Sequence, residues 1–267
     1  MLLGTLVLSG CSLDGEYFDA RQVSSYQLAG ATNIPTAQVE QVTFTSNGNT
    51  IHGVFVKAAT FEATTNTIIY FHGDDKDIDK YWSNRVDALY PLGANVFIFD
   101  YQGFGRSTGK SSLSALRQNS RDALAYVLTR ADVNATRIIY YGFSLGGIFA
   151  IDLAVARTPY ALITENAPSS SDAVVHNTIR LGLPGSFFFN ETFDNLEKIG
   201  KVQAPVLLMS AENDETAPFE GNGKLLFEAA RQPKTTVKVA GAGHSDVITR
   251  LGQGPYRTLI QNFLSGI

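Results

Sequence analysis

Ile138-Ile139-Tyr140-Tyr141-Gly142-Phe143-Ser144-Leu145-Gly146-Gly147 reads as a buried strand, a sharp turn and the start of a helix. The turn has the form Gly-x-Ser-x-Gly, with Ser144 at its tip. A residue held in so tight a strand-to-helix turn sits in a strained backbone region. Gly142 and Gly146 lack Cβ atoms, so strand and helix can approach closely around it. The helix opening at Leu145 aims its free N–H groups and the positive end of its dipole at the space above Ser144. Negative charge formed there is stabilised. Taken alone, the pattern also suits an ordinary Gly-rich turn. The partners supplied by the rest of the chain decide between the two.

Outward from this stretch, strands and helices alternate from about Thr67 to the end. Short apolar runs at 67–71, 95–99, 137–141, 161–164, 205–209 and 235–239 read as strands. Helical spacing fills the intervals: 81–90, a helix capped by Ser114 and running to Arg130, 145–157, 218–231, and a terminal helix to Ile267. Such alternation requires a mostly parallel sheet covered on both faces, an α/β fold. Ahead of it, 39–45 and 51–57 alternate apolar and polar residues around Ser46-Asn47-Gly48-Asn49, a hairpin signal. The domain therefore spans 37–267. Residues 168–190 break the alternation and read as a small cap insertion. Its Phe187-Phe188-Phe189 run suits an acyl pocket, plain packing or a membrane-facing patch equally well.

In an open parallel sheet, ligands bind beyond the carboxyl ends of the strands. Ser144 follows one strand there. Ala211-Glu212-Asn213-Asp214-Glu215 follows another, and Gly241-Ala242-Gly243-His244 follows the last. A serine hydroxyl is a weak nucleophile until a base takes its proton. His244, in its Gly-rich loop, is placed to reach Ser144. The base role needs a carboxylate to orient the ring and stabilise the imidazolium. Asp214 fits best by position, with Glu212, Glu215 and, after an earlier strand, Glu165 as rivals. Asp100 and Arg106 can pair across their Gly-rich loop, which reads either as a wall of the substrate mouth or as structure that fixes the loop beside the elbow. His52 and His176 receive no role.

Charge and composition narrow the partners. The net charge of −4 is mixed in sign, with no basic stripe, so nucleic acid is not an expected partner. The single cysteine, Cys11, allows no intrachain disulfide, and no metal-ligand spacing is present among the four histidines. Residues 1–10 are apolar and too short to span a bilayer, which takes about 20 residues. They end in Leu8-Ser9-Gly10-Cys11, which resembles the lipobox of bacterial lipoproteins, although no Lys or Arg precedes the run. That resemblance implies lipid attachment at Cys11, membrane contact through the lipid and a place in the bacterial cell envelope; without the anchor, the cytoplasm is expected. Residues 11–36 are polar and mixed, and read as a tether.

From His52 to the end, the chain resembles the serine α/β-hydrolases. The resemblance lies in Phe71-His72-Gly73, Asp100-Tyr101-Gln102-Gly103-Phe104-Gly105-Arg106-Ser107, Gly142-Phe143-Ser144-Leu145-Gly146-Gly147, Asp214 and Gly243-His244. The phrase Phe99-Asp100-Tyr101-Gln102-Gly103-Phe104-Gly105 is most similar to the small α/β-hydrolase-domain proteins, which include protein depalmitoylases. The resemblance implies an α/β-hydrolase fold and a serine hydrolase of carboxylic esters or thioesters, acting on a small-molecule or acylated substrate without a cofactor. It also implies an oxyanion hole made by the backbone N–H groups of Leu145 and Asp74. Asp74 departs from the neutral residue usual at its position, and its carboxylate and that of Asp75 are expected to point away from the site. A serine peptidase or amidase of the same fold, and a catalytically silent binding protein, are the alternatives.

Overall fold

The computed structural model describes residues 18, 20–179, 184–187 and 189–267. Alternate side chains along a strand leave on opposite faces, and here both faces are apolar. Along β3 (Thr67–Phe71) and β5 (Ile138–Phe143), Ile69, Phe71 and Tyr140 enter one core, while Ile68, Tyr70, Ile139 and Tyr141 enter the other. Every residue of β3, β4 (Asn95–Phe99), β5, β6 (Ala161–Glu165) and β7 (Val206–Ala211) is buried. Only a sheet covered on both sides satisfies that pattern.

Among the described residues, one eight-stranded sheet forms in the order β1-β2-β4-β3-β5-β6-β7-β8, with β1 at Val39–Ser46, β2 at Asn49–Val56 and β8 at Lys234–Val239. The β1–β2 and β2–β4 pairs are antiparallel and the rest are parallel. The hairpin turns through Asn47 and Gly48, both at positive φ (50° and 73°), as a two-residue turn of matching twist requires. Helix α1 joins Ile78–Tyr81, a π-helical turn at Trp82–Val86, and Asp87–Leu89. Helices α2 (Leu113–Leu128) and α3 (Leu145–Ala156) cover one face. After α4 (Ser171–Val174), α5 (Asn195–Ile199), α6 (Gly223–Ala229) and α7 (Val247–Leu251), helix α8 (Gln253–Ser265) joins α1 on the other. The α/β-hydrolase architecture expected from the sequence is the one observed.

Element ends differ from the reading in places, each for a local reason. Ser112, not Ser114, caps α2: its hydroxyl accepts the Ala115 N–H at 3.2 Å, while the Ser114 hydroxyl turns to Glu191 at 2.7 Å. The terminal helix breaks at Gly252, which sits at φ 78° between α7 and α8. The segment read as a tether is docked wherever it is described. The Asp79 carboxylate accepts the N–H groups of Gln27 and Leu28 at 2.8 and 2.7 Å, and Asp87 accepts those of Thr32 and Asn33 at 3.0 and 2.7 Å. Two carboxylates on α1 thus satisfy the backbone of an otherwise polar arm. Cys11 and residues 1–10 lie outside the described residues.

Residues 168–190, read from the sequence as a cap insertion, contain α4, a π-helical turn at Val175–Ile179 and a turn at Gly185–Phe187. Leu181, Gly182, Leu183 and Phe188 lie outside the described residues. The two described aromatics of the Phe run part company: Phe189 is buried, whereas Phe187 is 69% exposed. His176 is exposed.

Candidate active site

The turn between β5 and α3 takes the form the sequence suggested. Ser144 sits at φ 50°, ψ −120°, a conformation L-residues rarely adopt. It persists because the surroundings hold it. The Ser144 N–H donates to the Glu165 carbonyl at 2.9 Å, and its carbonyl accepts the Gly147 N–H at 2.9 Å. A Cβ on Gly146 would stand 1.9 Å from the Phe71 carbonyl oxygen, so only glycine lets α3 pass the end of β3.

Three loops bring the chemistry together. The Ser144 Oγ lies 2.8 Å from His244 Nε2, and His244 Nδ1 lies 2.7 Å from Asp214 Oδ2. The other Asp214 oxygen accepts the N–H groups of Thr216 and Ala217 at 2.9 and 2.7 Å, which fixes the carboxylate's direction. Asp214 is buried and Ser144 is 8% exposed, while the imidazole keeps 22% of its surface open to solvent. The rival carboxylates are occupied or turned outward. Glu212 accepts the Gly241 N–H at 2.9 Å, Glu215 is exposed, and Glu165 is held by Arg85 at 2.6 Å.

The ends of β3 and β5 are neighbours, with Phe71 paired to Gly142. The backbone at Gly73 therefore lies against the elbow: a Cβ there would touch the Phe143 ring at 3.0 Å. Asp74 is the next residue on that loop. Leu145 opens α3, where first-turn N–H groups have no intrahelical partner. The Asp75 carboxylate is turned to Lys80 at 3.2 Å. Asp74 and Asp75 both line a narrow cleft that His244 and Phe143 also border.

His72 is wholly buried against Tyr101 and Tyr81, with Nδ1 2.6 Å from its neighbour's carbonyl oxygen. Asp100 does not pair with the Arg106 guanidinium. Its carboxylate takes the Tyr26 hydroxyl and the N–H groups of Ile78 and Arg106, and the guanidinium goes instead to Gln41 at 2.9 Å. The docked arm thus fills the place the sequence assigned to Arg106.

Burial pushes the His72 pKa from 6.5 down to about 4 and the Asp100 pKa from 3.8 up to about 8. These shifts act oppositely on stability. The contribution of His72 is complete above pH 6.5 and is lost as pH falls towards 4. That of Asp100 is complete below pH 3.8 and is lost as pH rises to about 8. His72 Nε2 lies 3.6 Å from Asp100 Oδ1, so the two titrate as a pair: their effects oppose each other between about 4 and 6.5, and above 6.5 the loss belongs to ionisation of Asp100. Calorimetry across that upper window should record a loss approaching about 1.4 kcal/mol per pH unit from this carboxyl. Asp100→Asn keeps an acceptor for the Ile78 N–H and should lose that dependence; an unchanged slope would assign it elsewhere.

Sequence reasoning missed the buried groups around the site. Arg85 lies with its guanidinium 3.7 Å from the Phe143 ring centroid and donates to Ser245 O at 3.4 Å. Asn166 donates through Nδ2 to the His244 carbonyl at 2.6 Å. Arg85 falls within an amphipathic helix, where a charged residue ordinarily faces water. Asn166 follows a strand, where it reads as a turn residue. Neither carries a motif. One signal was available: Glu165-Asn166 is a polar pair at the carboxyl end of a central strand.

The chain has relatives on the same scale. Alpha/beta hydrolase domain-containing protein 17B of Homo sapiens is 30% identical over 226 residues, covering 84% of this chain and 74% of that protein. This chain belongs to the α/β-hydrolase family. The uncharacterized protein YfhR of Salmonella typhi is 30% identical over 245 residues, covering 85% of this chain and 82% of that one. The family described as serine aminopeptidase, S33, matches residues 62–169 of this α/β-hydrolase. The Pyrococcus furiosus esterase Pf2001 shares the fold with a TM-score of 0.74 at 16% identity, over 94% of this chain and 97% of the esterase.

Proposed function

We propose that this α/β-hydrolase cleaves carboxylic esters or thioesters through an acyl-enzyme on Ser144. The observation that carries the proposal is the hydrogen-bonded series Ser144 Oγ–His244 Nε2 at 2.8 Å and His244 Nδ1–Asp214 Oδ2 at 2.7 Å. As Oγ bonds to the carbonyl carbon, Nε2 takes its proton, and Asp214 stabilises the resulting imidazolium. The oxyanion forms against the N–H groups of Leu145 and Asp74. One such donor is worth on the order of 10²–10³ in rate. The carbonyl re-forms, the C–O or C–S bond breaks, and Nε2 returns the proton to the departing alcohol or thiol. Water then attacks the acyl carbon, gives its proton to His244, and Ser144 recovers it as the acid leaves.

A fluorophosphonate probe followed by adduct mapping tests this directly. Labelling should fall on Ser144 alone, and folded protein that stays unlabelled overturns the reading in favour of a silent binding protein. The serine aminopeptidase description of the matching family supports a second reading, amide hydrolysis. Higher kcat/KM for an aminoacyl amide than for both a short-chain ester and a long-chain thioester would establish it.

We also propose that Cys11 carries lipid and holds the enzyme at a bacterial membrane, a reading supported by Leu8-Ser9-Gly10-Cys11. Ala20 bridges to Lys76, on the same loop as Asp74. The chain from Cys11 to Phe18 spans at most roughly 25 Å when fully extended. A lipid there would keep the catalytic edge of the sheet close to the bilayer. Globomycin should cause unprocessed precursor to accumulate, and Cys11→Ala should release the protein from membranes; processing and membrane recovery unaffected by both would exclude the anchor.

A further inference from the structure

The Glu165-Asn166 pair at the end of β6 touches each loop of the candidate triad. The Glu165 carbonyl accepts the Ser144 N–H at 2.9 Å. Asn166 then turns into the left-handed region at φ 51° and remains buried. Its own N–H donates to Met209 O at 2.9 Å, and its Oδ1 accepts the Ala211 N–H at 2.7 Å, both at the end of the strand that leads to Asp214. Its Nδ2 donates to the His244 carbonyl at 2.6 Å. The neighbouring tie on that loop, from Arg85 to Ser245 O, is longer at 3.4 Å.

The partners fix the roles. An N–H only donates and a carbonyl only accepts, so this position needs one donor and one acceptor on a short planar group. It also needs a residue that tolerates left-handed backbone, as asparagine does. A carboxylate meets the second demand but turns an acceptor towards the His244 carbonyl.

We propose that Asn166 is a positioning residue that sets where His244 stands relative to Ser144, an inference that rests on the acyl-enzyme reading above. It is 2% exposed and so presents almost no surface to a substrate. It acts through the main chain of His244: when the Nδ2 bond is lost, the carbonyl and the imidazole behind it shift from the Oγ line. Misplacement of a catalytic group by about 1 Å can cost on the order of 10² in rate.

Two variants of the full chain, assayed with p-nitrophenyl acetate, test the inference. Asn166→Gly keeps the backbone conformation and removes both side-chain bonds. Asn166→Asp keeps the bond to Ala211 and, while ionised, opposes the His244 carbonyl. At pH 8 both should lower kcat about 10–100-fold and leave KM within about twofold. A carboxyl buried at this position against the His244 carbonyl has its pKa raised by desolvation, so acidification to pH 5 should protonate it and raise the kcat ratio of Asn166→Asp to wild type at least about fivefold, because the protonated form regains a donor for the carbonyl. The ratio for Asn166→Gly should stay flat. A purely structural role would move the melting temperature of either variant but not this contrast. Folded Asn166→Gly with kcat within twofold of wild type overturns the inference, as does an Asn166→Asp ratio that ignores pH. Should Asn166→Asp fail to fold, Asn166→Gly decides alone through its split between kcat and KM. Wild type that reacts with a fluorophosphonate beside unaffected Asn166 variants removes only the positioning role, whereas unlabelled wild type removes the acyl-enzyme reading and this inference together.

Discussion

Ser144→Ala should lower kcat for a p-nitrophenyl ester by about 10⁶-fold and abolish fluorophosphonate labelling. The loss is large because, in the proposed acyl-enzyme reaction, Oγ is the atom that attacks, and no other hydroxyl lies within reach of His244 Nε2 among its described hydrogen bonds. Stability should change little. The substitution removes one hydrogen bond at a site already strained, at φ 50°. A change of about 1 kcal/mol would move the melting temperature by about 2–4 °C in a chain of this size. Residual catalysis of about 10³–10⁴ over water should remain from the oxyanion donors and binding alone. Initial rates, a melting curve and probe labelling on the same preparation check the three parts together. A variant that turns over at the wild-type rate would remove Ser144 from the chemistry.

The sheet was legible because its strands are short, apolar and separated by helical spacing, a pattern with one packing solution. The residues of the candidate site were legible for a related reason: Ser144, Asp214 and His244 each fall just past a strand, so the topology gathers them at one edge. The choice among carboxylates was harder. Glu212, Asp214 and Glu215 follow one strand and Glu165 ends another, and position alone does not say which turns inward. In the fold, the N–H groups of Thr216 and Ala217 seize one oxygen of Asp214 and aim the other at His244. Contacts distant in sequence were not legible at all. The arm is docked because Asp79 and Asp87 capture backbone N–H groups more than fifty residues earlier. Asp100 takes the Tyr26 hydroxyl rather than the Arg106 guanidinium for the same reason, since only the docked arm brings that hydroxyl near. The Asn166 contact with His244 spans 78 residues and leaves no periodic trace.

Arg85→Met should cost about 3–5 kcal/mol of unfolding free energy, the largest stability loss expected of a change at the site. Arg85 is 2% exposed and Glu165 is fully buried, with Nη1 and Oε2 2.6 Å apart. The same carboxylate oxygen accepts the Tyr141 hydroxyl at 2.7 Å, and Tyr256 on α8 donates to that hydroxyl at 2.8 Å. The ion pair therefore ties α1, β5, β6 and α8 behind the elbow. Methionine keeps much of the arginine's apolar length but leaves the carboxylate buried without its counter-charge, and that uncompensated charge is the source of the loss. Arg85→Met/Glu165→Gln removes the stranded charge while keeping an acceptor for Tyr141, so at least about half of the stability should return. Urea unfolding of the single and double variants measures both quantities. Activity should not return with stability. The guanidinium also stacks 3.7 Å from the Phe143 ring centroid and reaches Ser245 O, beside His244, so both variants should keep a reduced kcat. A double variant no more stable than the single would show that packing, and not charge pairing, is what Arg85 supplies.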